Sequence, residues 1–321
     1  MDPVIAEARA AIRHGSKSFA GAAAIFGRDM RESAYMLYAW CRYCDDVIDG
    51  QELGFARTGG DASDPRARLD MLIARTRAAY RGEPTDDPVF AAFQRVVTRH
   101  RIPETYPLDL LRGFHMDVAG HGYATRGETL AYCYYVAGAV GVMMAMVMGV
   151  RDEAVLDRAC DLGLGFQLTN IARDIVDDAA IGRVYLPAEW LATEGVAATP
   201  EAVADPANRP AVARCAARLV EEAEPYYDSA RYGIAFLPFR AAWAIAAARR
   251  IYRHIGLEVT KRGARAWDTR VGTSGTRKLV CAAQALGDAI VSRFTRQAAG
   301  PARSGLWTRA HDLQRSASLT R

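Results

Sequence analysis

The segment from Thr129 to Val150, TLAYCYYVAGAVGVMMAMVMGV, has no charged side chain and constrains the fold of this chain more than any other feature. A run this long and apolar must be buried, either in a bilayer or in a protein interior. Tyrosines cluster near its start, and Gly138 and Gly141 would let another backbone approach closely. We therefore predict a buried helix that lines an apolar cavity, with an integral membrane protein as the alternative.

The rest of the chain also has the character of long helices. Half of the 321 residues are hydrophobic, which is enough for a sizeable core. Ala-rich and Leu-rich runs, no clear alternation of period two and widely spaced Gly and Pro clusters favour helices over strands. We predict an all-α protein with one helical domain over residues 1–295 and loops from Gln51 to Arg68 and from Thr193 to Pro210. Residues 296–321 lose the apolar periodicity, which predicts a basic, disordered tail.

Composition excludes several kinds of protein. A net charge of +4, with scattered basic residues, does not favour binding to nucleic acid. Six cysteines at irregular spacing suit a reducing compartment, and the pair Cys41 and Cys44 lacks the further ligands of a zinc site. The N-terminal residues mix charges into their apolar pattern, unlike a secretory signal. We expect a monomeric, cytoplasmic protein.

A first group of acids lies in CDDVIDG, residues 44 to 50. The preceding residues favour a helix, on which Asp45 and Asp49 lie one turn apart on one face and Asp46 points elsewhere. Neither Lys nor Arg is interleaved after Asp45, so the run cannot neutralise itself along the helix. A lone acidic helix end would simply be solvated, and a functional interpretation therefore needs a second site.

A second group of oxygen ligands supplies that site in GFQLTNIARDIVDD. Asn170, Asp174 and Asp178 are spaced i, i+4 and i+8, and Gln167 precedes Asn170 by three, so all four share one helix face. Two helices rich in hard oxygen and without His or Cys at these positions are typical of Mg²⁺ sites that substrate phosphates complete. The pattern predicts Mg²⁺, for which Mn²⁺ can substitute, bound to a diphosphate.

Arginines accompany both groups of acids. Arg42 precedes Asp45 by three residues, Arg173 adjoins Asp174, and Arg183 follows closely. Guanidinium groups bind phosphate oxygens in a bidentate manner, which strengthens the prediction of a diphosphate ligand.

Four stretches in this order resemble a known family: GSKSF, LYAWCRYCDDVID, YCYYVAGAVG and FQLTNIARDIVDDAAIGRVYLP. Together they are similar to the trans-isoprenyl head-to-head synthases, the family of squalene and phytoene synthases, and most closely to its bacterial phytoene-forming members. The likeness runs from about Gly15 to about Val271. It implies an all-helical isoprenoid synthase fold around a central apolar cavity. It also implies that two geranylgeranyl diphosphates couple through a cyclopropyl intermediate, prephytoene diphosphate, to phytoene, with release of two diphosphates.

The resemblance further implies the roles of individual residues. The metal ligands would be Asp45, Asp49, Asn170, Asp174 and Asp178. The substrate would contact Gly15, Ser16, Lys17, Ser18, Phe19, Val136, Val140, Gln167, Arg183 and Arg270. The catalytic side chains would be Tyr38, Arg42, Tyr132, Arg173 and Tyr252, of which Tyr132 would assist the rearrangement.

Other activities remain open from the sequence. A squalene or dehydrosqualene synthase would join two farnesyl diphosphates, each one isoprene unit shorter. A terpene cyclase shares the i, i+4, i+8 spacing but usually has Ser or Thr in the middle and Glu last, where this chain has Asp174 and Asp178. Squalene synthases use NADPH; the closer resemblance to phytoene-forming enzymes implies that none is needed here. Because substrate and product are lipids, peripheral membrane association is expected.

Overall fold

Helices make up nearly all of the regular structure, which confirms the prediction of an all-α protein. The computed structural model describes residues 21, 23–52, 55–56, 64–294 and 300–309. The predicted substrate-binding residues Gly15, Ser16, Lys17, Ser18 and Phe19 lie outside the described residues.

The helices are numbered in chain order. They are α1 (Arg28–Asp49), α2 (Pro65–Tyr80), α3 (Pro88–His100), α4 (Thr105–Val118), α5 (Arg126–Cys133), α6 (Ala139–Val147), α7 (Glu153–Ala180), α8 (Ala188–Thr193), α9 (Pro200–Ala204), α10 (Arg209–Ile234), α11 (Phe239–Arg262) and α12 (Gly275–Phe294). A π-helical turn (Tyr134–Gly138) joins α5 to α6, and short 3₁₀ turns lie at Pro206–Asn208 and Gly263–Arg265. Two short antiparallel strands, β1 (Gln51–Glu52) and β2 (Phe55–Ala56), follow α1.

Aspartate side chains fix the starts of several helices. Asp87 accepts a hydrogen bond from the backbone N–H of Val89 at 2.8 Å, and Asp152 accepts one from Val155 at 3.1 Å. Both carboxylates satisfy N–H groups that the first turn of a helix leaves without partners. In α3 the residue after the cap is Pro88, whose fixed backbone angle suits the first helical position.

Both predicted loops contain more structure than expected. The stretch from Gln51 to Arg68 includes the β1–β2 hairpin and the start of α2, and the stretch from Thr193 to Pro210 includes α9 and a 3₁₀ turn. The α9 helix starts where Thr199 accepts a hydrogen bond from the N–H of Ala202 at 3.3 Å. A single helical turn set by a cap is too short to show an apolar period in the sequence.

The uncharged segment crosses the interior of the bundle. Its helix, Arg126–Val147, is long and apolar enough to span a membrane by length and composition, but 61% of its most apolar window is buried within the protein. Gly141 and Gly163 allow it to contact α7 backbone to backbone. A Cβ on Gly141 would lie 2.5 Å from the Ala159 carbonyl oxygen, and one on Gly163 would lie 2.4 Å from the Ala137 carbonyl oxygen. The two glycines thus allow the uncharged segment and α7 to pack closely against each other.

Helix α7 is the central element of the bundle. It packs against α6, α10, α11 and the π-helical turn, so its different faces contact different helices. Only the two ends of α7 carry several acids, and the middle, from Leu162 to Phe166, is apolar. This distribution places charge at both ends of one long helix and apolar surface between them.

Residues 300–309 contradict the expected disorder for their part of the tail. The Trp307 ring stacks on Tyr134 with centroids 4.4 Å apart, and Arg309 is only 1% exposed. Arg309 Nε donates to Asp157 of α7 at 2.7 Å. The composition of this segment suggested that it is solvated. The sequence alone does not show that its arginines form ion pairs with acids of α7 in the folded protein.

The contact between the π-helical turn and α7 predicts the effect of Gly163→Ala. The added methyl group would overlap the Ala137 carbonyl, and we expect the free energy of unfolding to fall by about 1–3 kcal/mol. Chemical denaturation followed by circular dichroism measures the change.

Gly287→Ala is the matched control, since Gly287 is exposed on α12 with no atom near its added Cβ. Alanine is a better helix former than glycine, so this variant should keep or gain stability, by roughly 0.5–1 kcal/mol. Equal stability of the two variants would contradict the close contact.

Candidate active site

A cavity of about 1210 Å³ runs along α7. At one end it is lined by side chains from α1, from the second half of α7 and from the residues that follow α7 and α11. Towards the other end the lining is mainly apolar, with Met144, Met148 and Leu162 among its residues. The cavity therefore combines a charged end with a long apolar interior.

The first acidic group presents Asp45 and Asp49 to the cavity. Asp46 is turned away from it and only 8% exposed. Arg42 binds both neighbouring acids, through Nη1 to Asp45 at 3.0 Å and through Nη2 to Asp46 at 2.7 Å. Asp45 and Asp49 thus share one face of α1, as predicted. The positive charge that partly neutralises this group comes from Arg42, one helical turn earlier.

The second group, Gln167, Asn170, Asp174 and Asp178, also lines the cavity. Asn170 Nδ2 donates to Gln167 Oε1 at 3.3 Å. Asp174 accepts hydrogen bonds from Arg173 Nε at 2.8 Å and from Arg270 Nη2 at 3.0 Å.

One arginine joins the two groups across the cavity. Arg183 Nη2 donates to Asp49 Oδ1 at 2.6 Å, although Arg183 follows α7 and Asp49 ends α1. The two acidic helices therefore face each other at the same end of the cavity.

Burial makes the negative charges of this end unfavourable. Desolvation, with the nearby charge of Asp174, raises the pKa of Asp178 to about 7. Desolvation, with the charge of Asp49, raises the pKa of Asp45 to about 6, although 42% of this side chain is exposed, because the cavity walls limit its hydration. Asp174 is buried too, but its hydrogen bonds from Arg173 and Arg270 hold its pKa below the ordinary value. Additional positive charge would stabilise Asp45 and Asp178 as carboxylates.

The donor set fits a hard divalent cation that also binds a ligand. Among the described residues, no three His, Cys, Asp or Glu side chains converge closely enough to hold a metal alone. The buried Asn170 Oδ1 lacks a hydrogen-bond partner, a costly arrangement that a cation would relieve. Carboxylate and amide oxygens are ligands of Mg²⁺, which commonly takes its remaining ligands from phosphate and water.

A tyrosine cluster lies beside the charged end. Tyr132 and Tyr185 stack with ring centroids 4.7 Å apart, and both hydroxyls donate to Asp117, at 3.1 and 3.0 Å. All three residues line the cavity. Neither Asp117 nor Tyr185 was predicted: Asp117 has no acidic pattern around it, and Tyr185 follows the acidic series on α7 without sharing its spacing.

A second aromatic pair lies on the α11 side. Tyr252 stacks on Phe166 with ring centroids 4.2 Å apart, and both rings line the cavity. Phe166 was not predicted, since it adjoins the ligand series on α7 without sharing its spacing. On α1, Tyr38 also lines the cavity, and burial raises its pKa to about 12, which keeps its hydroxyl protonated.

The cavity lining contains the predicted site residues that fall within the described chain. These are Tyr38, Arg42, Asp45, Asp49, Tyr132, Val136, Val140, Gln167, Asn170, Arg173, Asp174, Asp178, Arg183, Tyr252 and Arg270. Cys41 lines it as well, whereas Cys44 is fully buried against the core. Burial raises the pKa of Cys41 to about 12, so this thiol stays protonated and a poor metal ligand.

A helical bundle around a long apolar cavity, with carboxylates and arginines at one end, defines an isoprenoid synthase. The chain belongs to the squalene/phytoene synthase family, whose model matches residues 12–277.

Relatives and solved structures agree with this membership. The 15-cis-phytoene synthase of Pantoea ananas is 54% identical over 92% of this chain and 94% of its own length. That of Paracoccus sp. (strain N81106 / MBIC 01143) is 50% identical over 97% of this chain and 99% of its own. A crystal structure of a dehydrosqualene synthase in complex with ligand superimposes with a TM-score of 0.77 at 27% identity, covering 88% of this chain and 95% of that one.

The donor set predicts that Mg²⁺ and inorganic diphosphate bind cooperatively. The cation neutralises the carboxylates and the diphosphate, and the diphosphate supplies further oxygen ligands to the cation. The two together should therefore raise the Tm of the protein more than either one alone. Asp178→Asn should weaken diphosphate binding in the presence of Mg²⁺ by at least about tenfold. Isothermal titration calorimetry measures the Kd, and Mn²⁺ should replace Mg²⁺.

Asp177→Asn removes the same charge one residue away and serves as the control. Asp177 is exposed on α7 and does not line the cavity, so its replacement should leave the Kd within about twofold. If both variants bound diphosphate equally well, Asp178 would not belong to the binding site.

Proposed function

We propose that this chain is a prenyltransferase of the 15-cis-phytoene synthase type. It would condense two geranylgeranyl diphosphates head to head, with Mg²⁺, through prephytoene diphosphate to phytoene, and release two diphosphates. The observation that carries this proposal is the continuous cavity with its charged end and apolar length. Bacterial relatives named phytoene synthase, at 50% and 54% identity, support the choice of product.

The size of the cavity suits two long prenyl chains. Its volume of about 1210 Å³ exceeds the roughly 300–1,000 Å³ that is usual for one small ligand. From Asn170 to Val155, both of which line it, α7 rises about 22 Å, 15 residues at about 1.5 Å each. The sixteen-carbon backbone of a geranylgeranyl chain spans about 18 Å at the reach of about 1.2 Å per bond of an extended chain. A chain with its diphosphate near Asn170 would therefore fit along α7.

The arginines at the charged end would hold the leaving diphosphate. Arg42, Arg183 and Arg270 already face carboxylates and could share their remaining N–H groups with phosphate oxygens. When bound, Mg²⁺ would neutralise the charge that develops on the departing group. Because these donors are fixed before the reaction, they need little reorganisation as the bond breaks.

The rest of the cavity would protect the allylic cation left behind. Apolar walls exclude water, and the ring faces of Tyr132 and Tyr252 could each contribute about 2 kcal/mol by cation–π attraction. Asp117 positions Tyr132 and Tyr185 by accepting a hydrogen bond from the hydroxyl group of each. The reaction would need no covalent nucleophile, and no NADPH is expected.

A squalene or dehydrosqualene synthase is the second candidate, because solved structures with those functions share the fold at 27% identity. The two activities differ in substrate length. Incubation with Mg²⁺ and either geranylgeranyl or farnesyl diphosphate, followed by identification of the hydrocarbon, tests the proposal. Phytoene from the longer substrate would support it, and a product formed only from farnesyl diphosphate would overturn it.

The same enzyme would act as a cytoplasmic monomer that associates peripherally with the membrane. Exposed apolar side chains lie along the outer face of α12: Leu279 is 72% exposed and Phe294 85%. Leu279 also lines the cavity, as does Ile181, which is 64% exposed, so the apolar surface reaches the cavity opening. A lipid substrate could pass from a bilayer into the cavity there without crossing water.

Tyr132→Phe tests the role of the tyrosine cluster. If the Tyr132 hydroxyl serves the rearrangement and not the first ionisation, its loss should slow the second step selectively and prephytoene diphosphate should accumulate. Asp45→Asn should stall before this intermediate, with turnover at least roughly 10²-fold lower. Single-turnover assays that quantify both species over time make the distinction.

Tyr134→Phe provides the control for this experiment. Tyr134 donates to Asp109 at 2.5 Å outside the cavity, so the variant loses a comparable hydrogen bond without changing the cavity lining. Its partitioning between intermediate and product should equal that of the unmodified enzyme. The same partitioning in a folded Tyr132→Phe variant would remove this hydroxyl from the mechanism.

The α12 surface predicts the effect of acidic substitutions on membrane binding. Leu279→Glu with Phe294→Glu should lower cosedimentation with phosphatidylglycerol vesicles by at least about fivefold, because apolar contact and attraction to anionic lipid are both lost. Thr98→Glu, on the exposed face of α3, adds the same kind of charge elsewhere and should have little effect. Unchanged binding of the α12 variant would show that another surface contacts lipid.

A further inference from the structure

The first half of α7 carries another series of acids, separate from the two acidic groups of the active site, that the proposed reaction does not use. Glu153, Asp157 and Asp161 follow the same i, i+4, i+8 spacing as the ligand series near the other end of the helix. Asp161 is fully buried. A buried carboxylate needs a partner of opposite charge, so Asp161 must be neutralised within the protein.

The partners come from residues 300–309, which we name the C-terminal strap. Arg303 binds Asp161 in a bidentate manner through one edge of its guanidinium group, Nε to Oδ2 at 2.8 Å and Nη2 to Oδ1 at 2.7 Å. Arg309 donates to Asp157 at 2.7 Å and to Glu153 at 2.9 Å. Bidentate pairing of buried groups fixes geometry as well as charge, so the strap is held in one position along α7.

Arg158 connects the strap to the cavity. It lines the cavity towards the N-terminal end of α7, opposite the charged end, together with Val155 and Leu162. Its Nη2 donates to the carbonyl oxygen of Pro301 at 2.5 Å, and its Nη1 donates to Ser229 Oγ at 2.8 Å. The strap therefore supplies one of the groups that hold the Arg158 guanidinium in place.

The stem of Arg158 is confined as well. A Cβ on Gly233 of α10 would lie 2.6 Å from the Arg158 Cβ, so the two helices leave no free space beside it. Ser229, which accepts from Arg158, in turn donates to Asp161, the partner of Arg303. Arg158, Asp161, Ser229 and Arg303 thus form one connected polar network behind the apolar cavity.

We propose that the C-terminal strap sets the far end of the cavity through Arg158 and thereby limits the length of prenyl chain that the enzyme accepts. The inference rests on the proposed function, since it concerns the prenyl diphosphate substrate. A guanidinium group that donates both to α10 and to the strap cannot move aside for another isoprene unit without leaving buried hydrogen-bonding groups unpaired. Arg158 is a specificity-determining residue in this account, and Arg303 positions it.

A competition assay tests the proposal. The full-length protein receives equal concentrations of 20-carbon and 25-carbon prenyl diphosphates with Mg²⁺, and the ratio in which the two are consumed is measured. Arg158→Ala should raise the 25-carbon to 20-carbon ratio at least tenfold because it lengthens the cavity. The double variant Asp161→Asn with Arg303→Gln, which loosens the strap without leaving an unpaired charge, should raise it at least fivefold.

The ion pair between Arg250 and Asp288 provides the matched control. It joins α11 to α12 with two hydrogen bonds, of 2.6 and 2.8 Å, and neither residue lines the cavity. Arg250→Gln with Asp288→Asn should keep the ratio within twofold. A smaller folded fraction lowers consumption of both substrates equally, so the ratio separates selectivity from stability.

Each outcome decides a different claim. An unchanged ratio in Arg158→Ala that still consumes the 20-carbon substrate would overturn the proposal. If the double variant failed to fold, Arg158→Ala, which keeps the ion pairs of the strap, would decide alone. If the unmodified enzyme consumed neither substrate, the proposed function would fail, and the strap proposal would fall with it.

Discussion

The pairing of carboxylates with arginines along α7 is the interaction on which the rest of the structure depends. Asp161 near one end of the helix and Asp174 near the other are both bound by guanidinium groups from distant parts of the chain. Between them α7 is apolar enough to border the cavity, and Gly163 brings it into backbone contact with the uncharged segment. One helix can therefore hold a carboxylate on each side of its dry middle because Asp161 and Asp174 both have guanidinium partners.

The arginines that reach α7 from distant parts of the chain differ in exposure. The Arg303 side chain is 15% exposed against a fully buried Asp161, whereas Arg270, which binds Asp174, is 65% exposed. An exposed ion pair contributes little to stability and exchanges partners readily, while a buried one is costly to break. The first arrangement suits a structural lock, and the second suits a site where a ligand must compete for the arginine.

Local periodicity in the sequence predicted the helical fold and the two acidic groups of the candidate site, whereas the proposed catalytic tyrosines came from the family resemblance. Spacing alone places Asp45 and Asp49 on one face of α1, and it places the series from Gln167 to Asp178 on one face of α7. Asp117 escaped notice because its partners, Tyr132 and Tyr185, meet it only in the folded chain. The packing of residues 300–309 was missed for the same reason, since an Arg-rich, Gly-rich segment gives no sign of the buried acids that it covers.

The π-helical turn at Tyr134–Gly138 has a consequence for the side chains on either side of it. In a regular helix, Tyr132 and Met144 would point about 120° apart, at about 100° per residue over twelve residues. A π-helical turn absorbs about one residue, which reduces that angle to about 20° and turns both side chains toward the same cavity, as the structure shows. A chain that lost one residue within this turn would regain ideal helix geometry. The later side chains of α6 would keep their directions in that shorter helix, whereas the present number of residues in a regular helix would turn them by about 100° away from the tyrosine cluster. With this number of residues, the irregular turn is what keeps the wall of the cavity continuous.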